Sequence, residues 1–368
     1  MRLLMTTDAV GGVWTYVLEL ACGLARHQVE IALAVLGPSP SPQQRAAATR
    51  IPGLALFDSG GLKLEWMHDP WRDVDAAGDW LLELAQSLRP DVVHLNGYAH
   101  GALPWNAPVM VVGHSCVLSW WRAVRGTPAP AEWETYRRKV TVGLRAAGLV
   151  VTPSRAMLLA LRRSYGPFGN SLVIPNGRAL AAGAPPITTS RRHFVLAAGR
   201  LWDPAKNLQV LAQAASGGLD WPVYVAGDAR HPEGKDVALG KLRLLGRLAA
   251  EDLEDLMQEA GLYVLPALYE PFGLSILEAG LAGCPLVIGD IPSLREIWEG
   301  AARFVPPHDG KALRRVLAEL IADPAARARL ASQARLRASH FHPENMTRAY
   351  LNAYQTLRSS AGSEAAGG

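Results

Sequence analysis

Short apolar runs alternate with helical periodicity along almost the whole chain, and that alternation limits the fold more than any single motif. Residues 3–5, 31–36, 92–95, 109–112 and 149–152 read as strands in the first half, and 194–197, 223–226, 262–265 and 285–288 in the second. Helical patterns separate most of them; after the first run, Val13, Tyr16, Val17, Leu20 and Leu24 fall at helical spacing. Strand and helix in alternation predict parallel, doubly wound sheets. At 368 residues the chain is long for one core and comfortable for two. The expected boundary lies in the Pro-, Gly- and Ala-rich stretch from Pro175-Asn176-Gly177 through Thr189, which places one domain in residues 1–180 and a second in 190–342. Met346, Tyr350, Ala353 and Tyr354 are helically spaced, so a last helix is expected over 343–358, and the small, polar stretch 359–368 is expected to be mobile.

Hydrophobic residues make up 49% and charged residues 19%, which excludes a disordered chain. No uninterrupted apolar stretch approaches the roughly 20 residues of a membrane span. Met1 to Asp8 runs straight into strand-like sequence without a cleavable apolar region. Cys22, Cys116 and Cys284 are scattered and lack metal-type spacing, so free thiols in a reducing, cytoplasmic setting are expected.

The chemistry concentrates in Glu270-Pro271-Phe272-Gly273-Leu274-Ser275-Ile276-Leu277-Glu278. Pro271 and Gly273 break any preceding element, and Leu274, Ile276, Leu277 and Leu281 read as a buried helix starting at the turn. Glu270 then lies on a loop and Glu278 about one turn inside the helix. Backbone N–H groups around Phe272 to Ser275 form a positive helix end suited to phosphate oxygens. The plainer reading is a capped helix with two surface glutamates. Gly11-Gly12 is a second loop where backbone can approach a phosphate closely, or simply a tight turn. Arg200 and Lys206, in Gly199-Arg200-Leu201-Trp202-Asp203-Pro204-Ala205-Lys206-Asn207-Leu208, follow an apolar strand and so lie at the edge where doubly wound sheets bind ligands. Two fixed cations there can hold a diphosphate, with ordinary surface cations as the alternative. His114 directly follows a buried strand, as a ligand-facing group or a satisfied core residue.

The 270–279 segment resembles the E-x7-E signature of retaining family 4 glycosyltransferases, and the similarity continues through Asp290-Ile291-Pro292-Ser293-Leu294-Arg295-Glu296. Residues 199–208 resemble the family's G-R-L…K-N/G pattern, and Asp91-Val92-Val93-His94 its D-V-V-H pattern, with Asn96 where a second histidine often stands. The resemblance runs from Gly11-Gly12 to about Tyr354. It implies a GT-B fold, α/β, with two Rossmann-like doubly wound domains facing each other across a cleft: an N-terminal acceptor domain, a C-terminal nucleotide-sugar domain and a last helix crossing back to the first.

By the same resemblance, Arg200 and Lys206 contact the nucleotide diphosphate, Glu270 the sugar hydroxyls and Glu278 the ribose. Gly246, Arg247 and Leu248 hold the nucleobase, and Phe272, Gly273, Leu274 and Ser275 line the phosphate turn. Gly11 and Gly12 face the sugar-phosphate, His114 stands beside the donor sugar, and Asn96 and Tyr98 belong to the acceptor side. The implied activity is retaining, metal-independent hexosyl transfer from a UDP- or GDP-linked sugar to a glycan, lipid or small-molecule acceptor, as in polysaccharide or glycolipid biosynthesis. The nucleotide sugar is a co-substrate, and neither a cofactor nor a nucleic-acid partner is expected. A GT-B nucleotide-sugar epimerase or phosphorylase, or a catalytically silent glycosyltransferase-like subunit, shares the architecture. Asp73-Val74-Asp75 reads as the solvated face of an amphipathic helix rather than a metal site.

Charge is unevenly distributed. Residues 101–180 carry ten cationic side chains against two carboxylates, whereas residues 1–100 carry seven against eleven. Trp120, Trp121, Trp133 and Tyr136 are interleaved with the basic block. Residues 120–145 are expected either to wall the acceptor site, to meet a polyanionic acceptor, or to make a peripheral contact at the inner face of an anionic membrane.

Overall fold

A computed structural model of the chain describes residues 1–179, 191–229 and 239–366, with side chains through residue 360. Part of the expected linker, 180–190, lies outside the described residues.

One unit comprises Met1–Arg122, Thr127–Gly177 and the chain from Pro343 onward. Its sheet is built from β1 (Arg2–Asp8), β2 (Glu30–Leu36), β3 (Leu54–Asp58), β4 (Val92–Leu95), β5 (Val109–Val112), β6 (Leu149–Thr152) and β7 (Ser171–Val173). All pairings are parallel and the order is β3-β2-β1-β4-β5-β6-β7. Leu3, Leu4 and Met5 of β1 lie between Ile31–Leu33 of β2 and Val92–His94 of β4. These residues are fully buried or nearly so, as expected of a sheet with helices on both faces.

The second unit comprises Ala123–Gly126 and Arg178–His342. Its strands are β8 (Arg192–Ala198), β9 (Val223–Ala226), β10 (Arg243–Gly246), β11 (Ala260–Leu265), β12 (Leu286–Gly289) and β13 (Arg303–Val305), in the order β10-β9-β8-β11-β12-β13, again wholly parallel. Both units are therefore doubly wound, Rossmann-like α/β layers. Strand order reverses once in each, between β1 and β4 and between β8 and β11, and such a reversal opens a crevice at the C-terminal strand ends.

Close backbone approaches hold the helices in place. Arg191 donates to the carbonyls of Met257, Ala260 and Ala282 at 2.9, 3.0 and 2.5 Å, satisfying the ends of the helices Ala250–Glu259 and Leu274–Leu281. The helix Pro343–Ala366 belongs to the first unit and lies against the helix Gly12–Ala25, where a Cβ on Gly23 would fall 1.9 Å from Thr347 Oγ1. This helix continues past Ser359, where the sequence reading places a mobile tail. Ser359 and Ser360 donate their hydroxyls to the carbonyls of Gln355 and Thr356 at 3.0 and 3.1 Å. No helix among the described residues is long and apolar enough to cross a membrane.

A clean test of the packing is Gly143, in the helix Glu134–Ala146. An added Cβ would sit 2.0 Å from the Tyr98 carbonyl oxygen, a backbone atom that cannot rotate away. Gly143→Ala should cost at least ~2 kcal/mol in urea unfolding, while Gly169→Ala, with open space around it, should stay within ~0.5 kcal/mol of wild type. Equal stability of the two variants would contradict this packing.

Candidate active site

In the second unit the loops after β8 and β11 meet at the strand-order reversal. Beyond Ala198 the chain forms a short 3-10 turn, Pro204–Lys206, in which Asp203 accepts from the Ala205 N–H at 3.0 Å. Asn207 then takes the left-handed conformation (φ 58°), and its amide donates to the carbonyls of Pro266 and Pro307 at 2.8 and 2.5 Å. Leu268 N–H donates to Ala205 O at 2.8 Å, so the two loops are stitched together by backbone as well. The consequence is that Lys206 Nζ bonds directly to Glu270 Oε2, with each side chain only 13% exposed. Arg200 is more open, at 39%; it donates to Asp203 Oδ2 at 2.8 Å and lies over the Trp202 ring, 5.3 Å from its centroid.

The helix Leu274–Leu281 starts next to this pair. Gly273 caps it in the left-handed region (φ 89°), with no side-chain cap and no acidic residue in the first turn. Among the described residues no side chain caps the first-turn N–H groups, which carry the partial positive charge of the helix end. Ser275 Oγ is held by Tyr263 OH at 2.8 Å and by Ala198 O at 3.3 Å, and the Glu270 carbonyl accepts from Ser293 Oγ at 2.6 Å. Burial pushes the Tyr263 hydroxyl well up, so it stays a protonated donor. Glu278, one turn in, accepts from Arg178 Nε at 2.9 Å.

The structure brings Arg200, Lys206, Glu270, Gly273, Leu274, Ser275 and Glu278 to one edge of one sheet. Phe272 joins this group through its backbone, as the sequence reading has it, while its side chain is buried in the core, edge-on to Phe341 at 5.5 Å. Gly246 ends the edge strand β10 with φ 70° and accepts from Gly227 N–H at 2.8 Å, while Arg247 is exposed beyond it and Leu248 packs against the core. Arg178, Asp203, Trp202, Ser293 and Tyr263 were not singled out from sequence. Asp203 alone left a signal there, as the acid beside Arg200.

In the first unit the reversal lies between β1 and β4. Gly11 and Gly12 open the helix Gly12–Ala25 with an extended Gly11 and no side-chain cap. Neither takes a left-handed conformation, so no sharp turn here requires glycine. Asn96, after β4, is fully engaged: its side-chain N–H donates to Thr6 O at 2.7 Å, and its Oδ1 faces His114 Nε2 at 2.8 Å and His94 Nε2 at 3.3 Å. Tyr98 is buried, with its hydroxyl donated to Ser115 O at 2.7 Å and its backbone N–H held by Glu65. The Tyr98 ring therefore packs in the core of this unit. His114 lies at the end of β5, edge-on to Tyr16 at 4.5 Å. Burial holds both imidazoles far down, His94 to about 3 and His114 to about 3, the latter also through the adjacent His94. Both rings are neutral at ordinary pH.

The family model described as Glycosyltransferase Family 4 matches residues 10–181, and that described as Glycosyl transferases group 1 matches residues 192–323. Taken together the two matches support a family 4-like glycosyltransferase. It is 27% identical to glycogen synthase of Mycobacterium tuberculosis over 92% of this chain and 90% of that one. A 35% identical match to O-antigen chain mannosyltransferase B of Escherichia coli covers 32% of this chain and 31% of that relative, about a third of its length. Among solved structures, Anabaena Alr3699/HepE in complex with UDP and glucose is similar with a TM-score of 0.75 at 18% identity, over 97% of this chain and 100% of that one, a likeness of fold. Two parallel Rossmann-like units are the GT-B type of glycosyltransferase.

The basic block of this glycosyltransferase is less open than its sequence suggests. Tyr136 is buried, Trp133 packs edge-on against it at 5.8 Å, Lys139 pairs with Asp75 at 2.5 Å and Arg137 with Glu134 at 3.2 Å. Asp73 accepts from the Lys63 N–H at 3.0 Å, so both acids of the D-x-D have ordinary protein partners. In this stretch Arg122, Arg125, Arg138 and Arg145 are exposed, and Trp120 and Trp121 are half-buried.

Two neutral histidines, His94 fully buried and His114 partly so, make the fold acid-sensitive. Below the ordinary value of 6.5 the unfolded chain takes up protons that native His94 and His114 refuse until about pH 3. Stability should therefore fall as pH drops through that window, by up to about 1.4 kcal/mol per pH unit for each site. Urea unfolding at pH 7 and pH 5 measures this, with a shallower pH dependence expected for His94→Gln. A wild-type midpoint unchanged by pH would contradict the neutral pair.

Proposed function

We propose that the protein is a retaining hexosyltransferase that uses a UDP- or GDP-linked sugar and a glycan, lipid or small-molecule acceptor. The reading rests on one observation above all. A partly buried Lys206–Glu270 pair lies beside Arg200 and an uncapped helix end, all at the strand-order reversal of one sheet. A nucleotide diphosphate suits it: the phosphates draw Lys206 away from Glu270, and the released carboxylate accepts from sugar hydroxyls. Glu278, held by Arg178, takes the ribose. Support also comes from the Anabaena protein, which holds UDP and glucose, and from relatives named for glycogen synthesis and mannosyl transfer.

The chemistry follows from where charge develops. The bond between the anomeric carbon and the phosphate oxygen breaks, the leaving diphosphate gains negative charge, and Arg200 and Lys206 offset it. The acceptor hydroxyl attacks on the same face, its oxygen bonding the anomeric carbon while its proton passes to the departing phosphate. The anomeric configuration is retained and no separate general-base carboxylate is required. His114 is assigned to the sugar or the reacting carbon on the strength of the family resemblance. Peripheral membrane contact, if the acceptor is a lipid, falls to Trp120, Trp121 and their neighbouring arginines.

Incubation with UDP- and GDP-sugars, with and without acceptors and in excess EDTA, measures nucleotide release. Arg200→Ala or Lys206→Ala should each lose turnover by ~3 kcal/mol of transition-state stabilisation, about a hundredfold, with the fold intact. Glu278→Gln should weaken binding of free nucleotide, whereas Glu270→Gln should leave it nearly intact and impair transfer. Wild-type rates in both cation variants, or release that requires a divalent cation, would overturn this mechanism.

A further inference from the structure

The hydrogen bonds around Asn96 determine more than its own position. Its side-chain nitrogen lies 2.7 Å from the Thr6 carbonyl oxygen, which can only accept, so the amide cannot be turned round. Oδ1 must then face the two imidazoles, 2.8 Å from His114 Nε2 and 3.3 Å from His94 Nε2. An amide oxygen only accepts, so each ring presents Nε2–H to it. The far side agrees, because Tyr354 OH lies 2.7 Å from His94 Nδ1 and donates to it. The chain of donors therefore runs from Tyr354 to His94 to Asn96, with His114 converging on the same oxygen.

We propose that Asn96 is a positioning residue that locks His114 as a neutral imidazole with its proton on Nε2, leaving the Nδ1 lone pair to accept from a hydroxyl of the substrate. The proposal rests on the transferase reading above and adds to it the direction of one hydrogen bond. Among the described residues no group donates to His114 Nδ1. The ring stands at the C-terminal end of β5, one strand from the reversal in the first sheet, on the edge where ligands bind. The titratable groups packed around the imidazole pair are Tyr16 from the first helix and Tyr350 and Tyr354 from the last, all held protonated by burial. None supplies a charge that would protonate either ring. A lone pair fixed in this way favours a hydroxyl and disfavours an anionic oxygen at the same place.

The test uses the full-length protein labelled with ¹⁵N-histidine, with His114→Gln to assign the signals and long-range proton–nitrogen correlation to read each ring nitrogen. Wild type should show His114 protonated at Nε2 and bare at Nδ1 across neutral pH. Asn96→Leu removes the acceptor while keeping the volume, and should move the His114 proton to Nδ1. The same variant should lower kcat at least about tenfold while binding free UDP or GDP as wild type does. A wild-type His114 protonated at Nδ1 would overturn the proposal, as would an Asn96→Leu protein with the wild-type proton position and kcat. If the wild-type tautomer is as expected but no nucleotide sugar is consumed, the lock stands and the transferase reading fails.

Discussion

Strand order reverses once in each sheet, and the arrangement of polar groups follows from that constraint. Parallel strands covered by helices on both faces leave no room for uncompensated charge inside the layers. At the reversal the crossover connections diverge to opposite sides, and the loops after the two central strands are left to line a crevice. Thr6 and Asn96 meet at the reversal of the first sheet, between β1 and β4. Lys206 and Glu270, from the loops after β8 and β11, meet at that of the second. The chemistry is local to these edges because the topology permits it nowhere else.

The two edges are built on different electrostatic principles. In the second unit the groups are charged and held in pairs, Lys206 with Glu270, Arg200 with Asp203 and Arg178 with Glu278. Each pair limits the cost of partial burial while leaving ions that a phosphate or hydroxyl ligand can re-partner. In the first unit the central groups are neutral: two histidines stripped of charge by burial, an amide, and tyrosine hydroxyls from the last helix. Charge suits a phosphate group, and oriented neutral dipoles suit hydroxyl groups.

Much of this was legible in the sequence. The strands read from it are interior strands, whose continuous apolar runs follow from burial on both faces. Three strands absent from that reading, β3, β7 and β13, lie at sheet edges, and so does β10, which the family resemblance marked only as a strand-end segment. Edge strands are short or half exposed, Ser171-Leu172-Val173 and Arg243 to Gly246 among them, so no apolar run marks them. Glu270 on its loop and Glu278 inside a helix followed from Pro271 and Gly273. Their partners did not, because Lys206 is 64 residues from Glu270 and Arg178 is 100 residues from Glu278. Aromatic residues misled most. Tyr98 and Tyr136 stand beside motifs in the sequence, yet their rings fill the core. Asn96 was marked as a departure from the family pattern, but its bond to Thr6, 90 residues away, emerges only on folding.

The central claim is that the loops after β8 and β11 recognise a nucleotide through its terminal phosphate. Calorimetric titration of the wild-type protein with UDP and UMP, and with GDP and GMP, tests it most directly. The account predicts that one diphosphate binds at least about tenfold more tightly than its monophosphate, and that Lys206→Ala abolishes the difference. Equal affinity for diphosphate and monophosphate in both nucleotide series would contradict it.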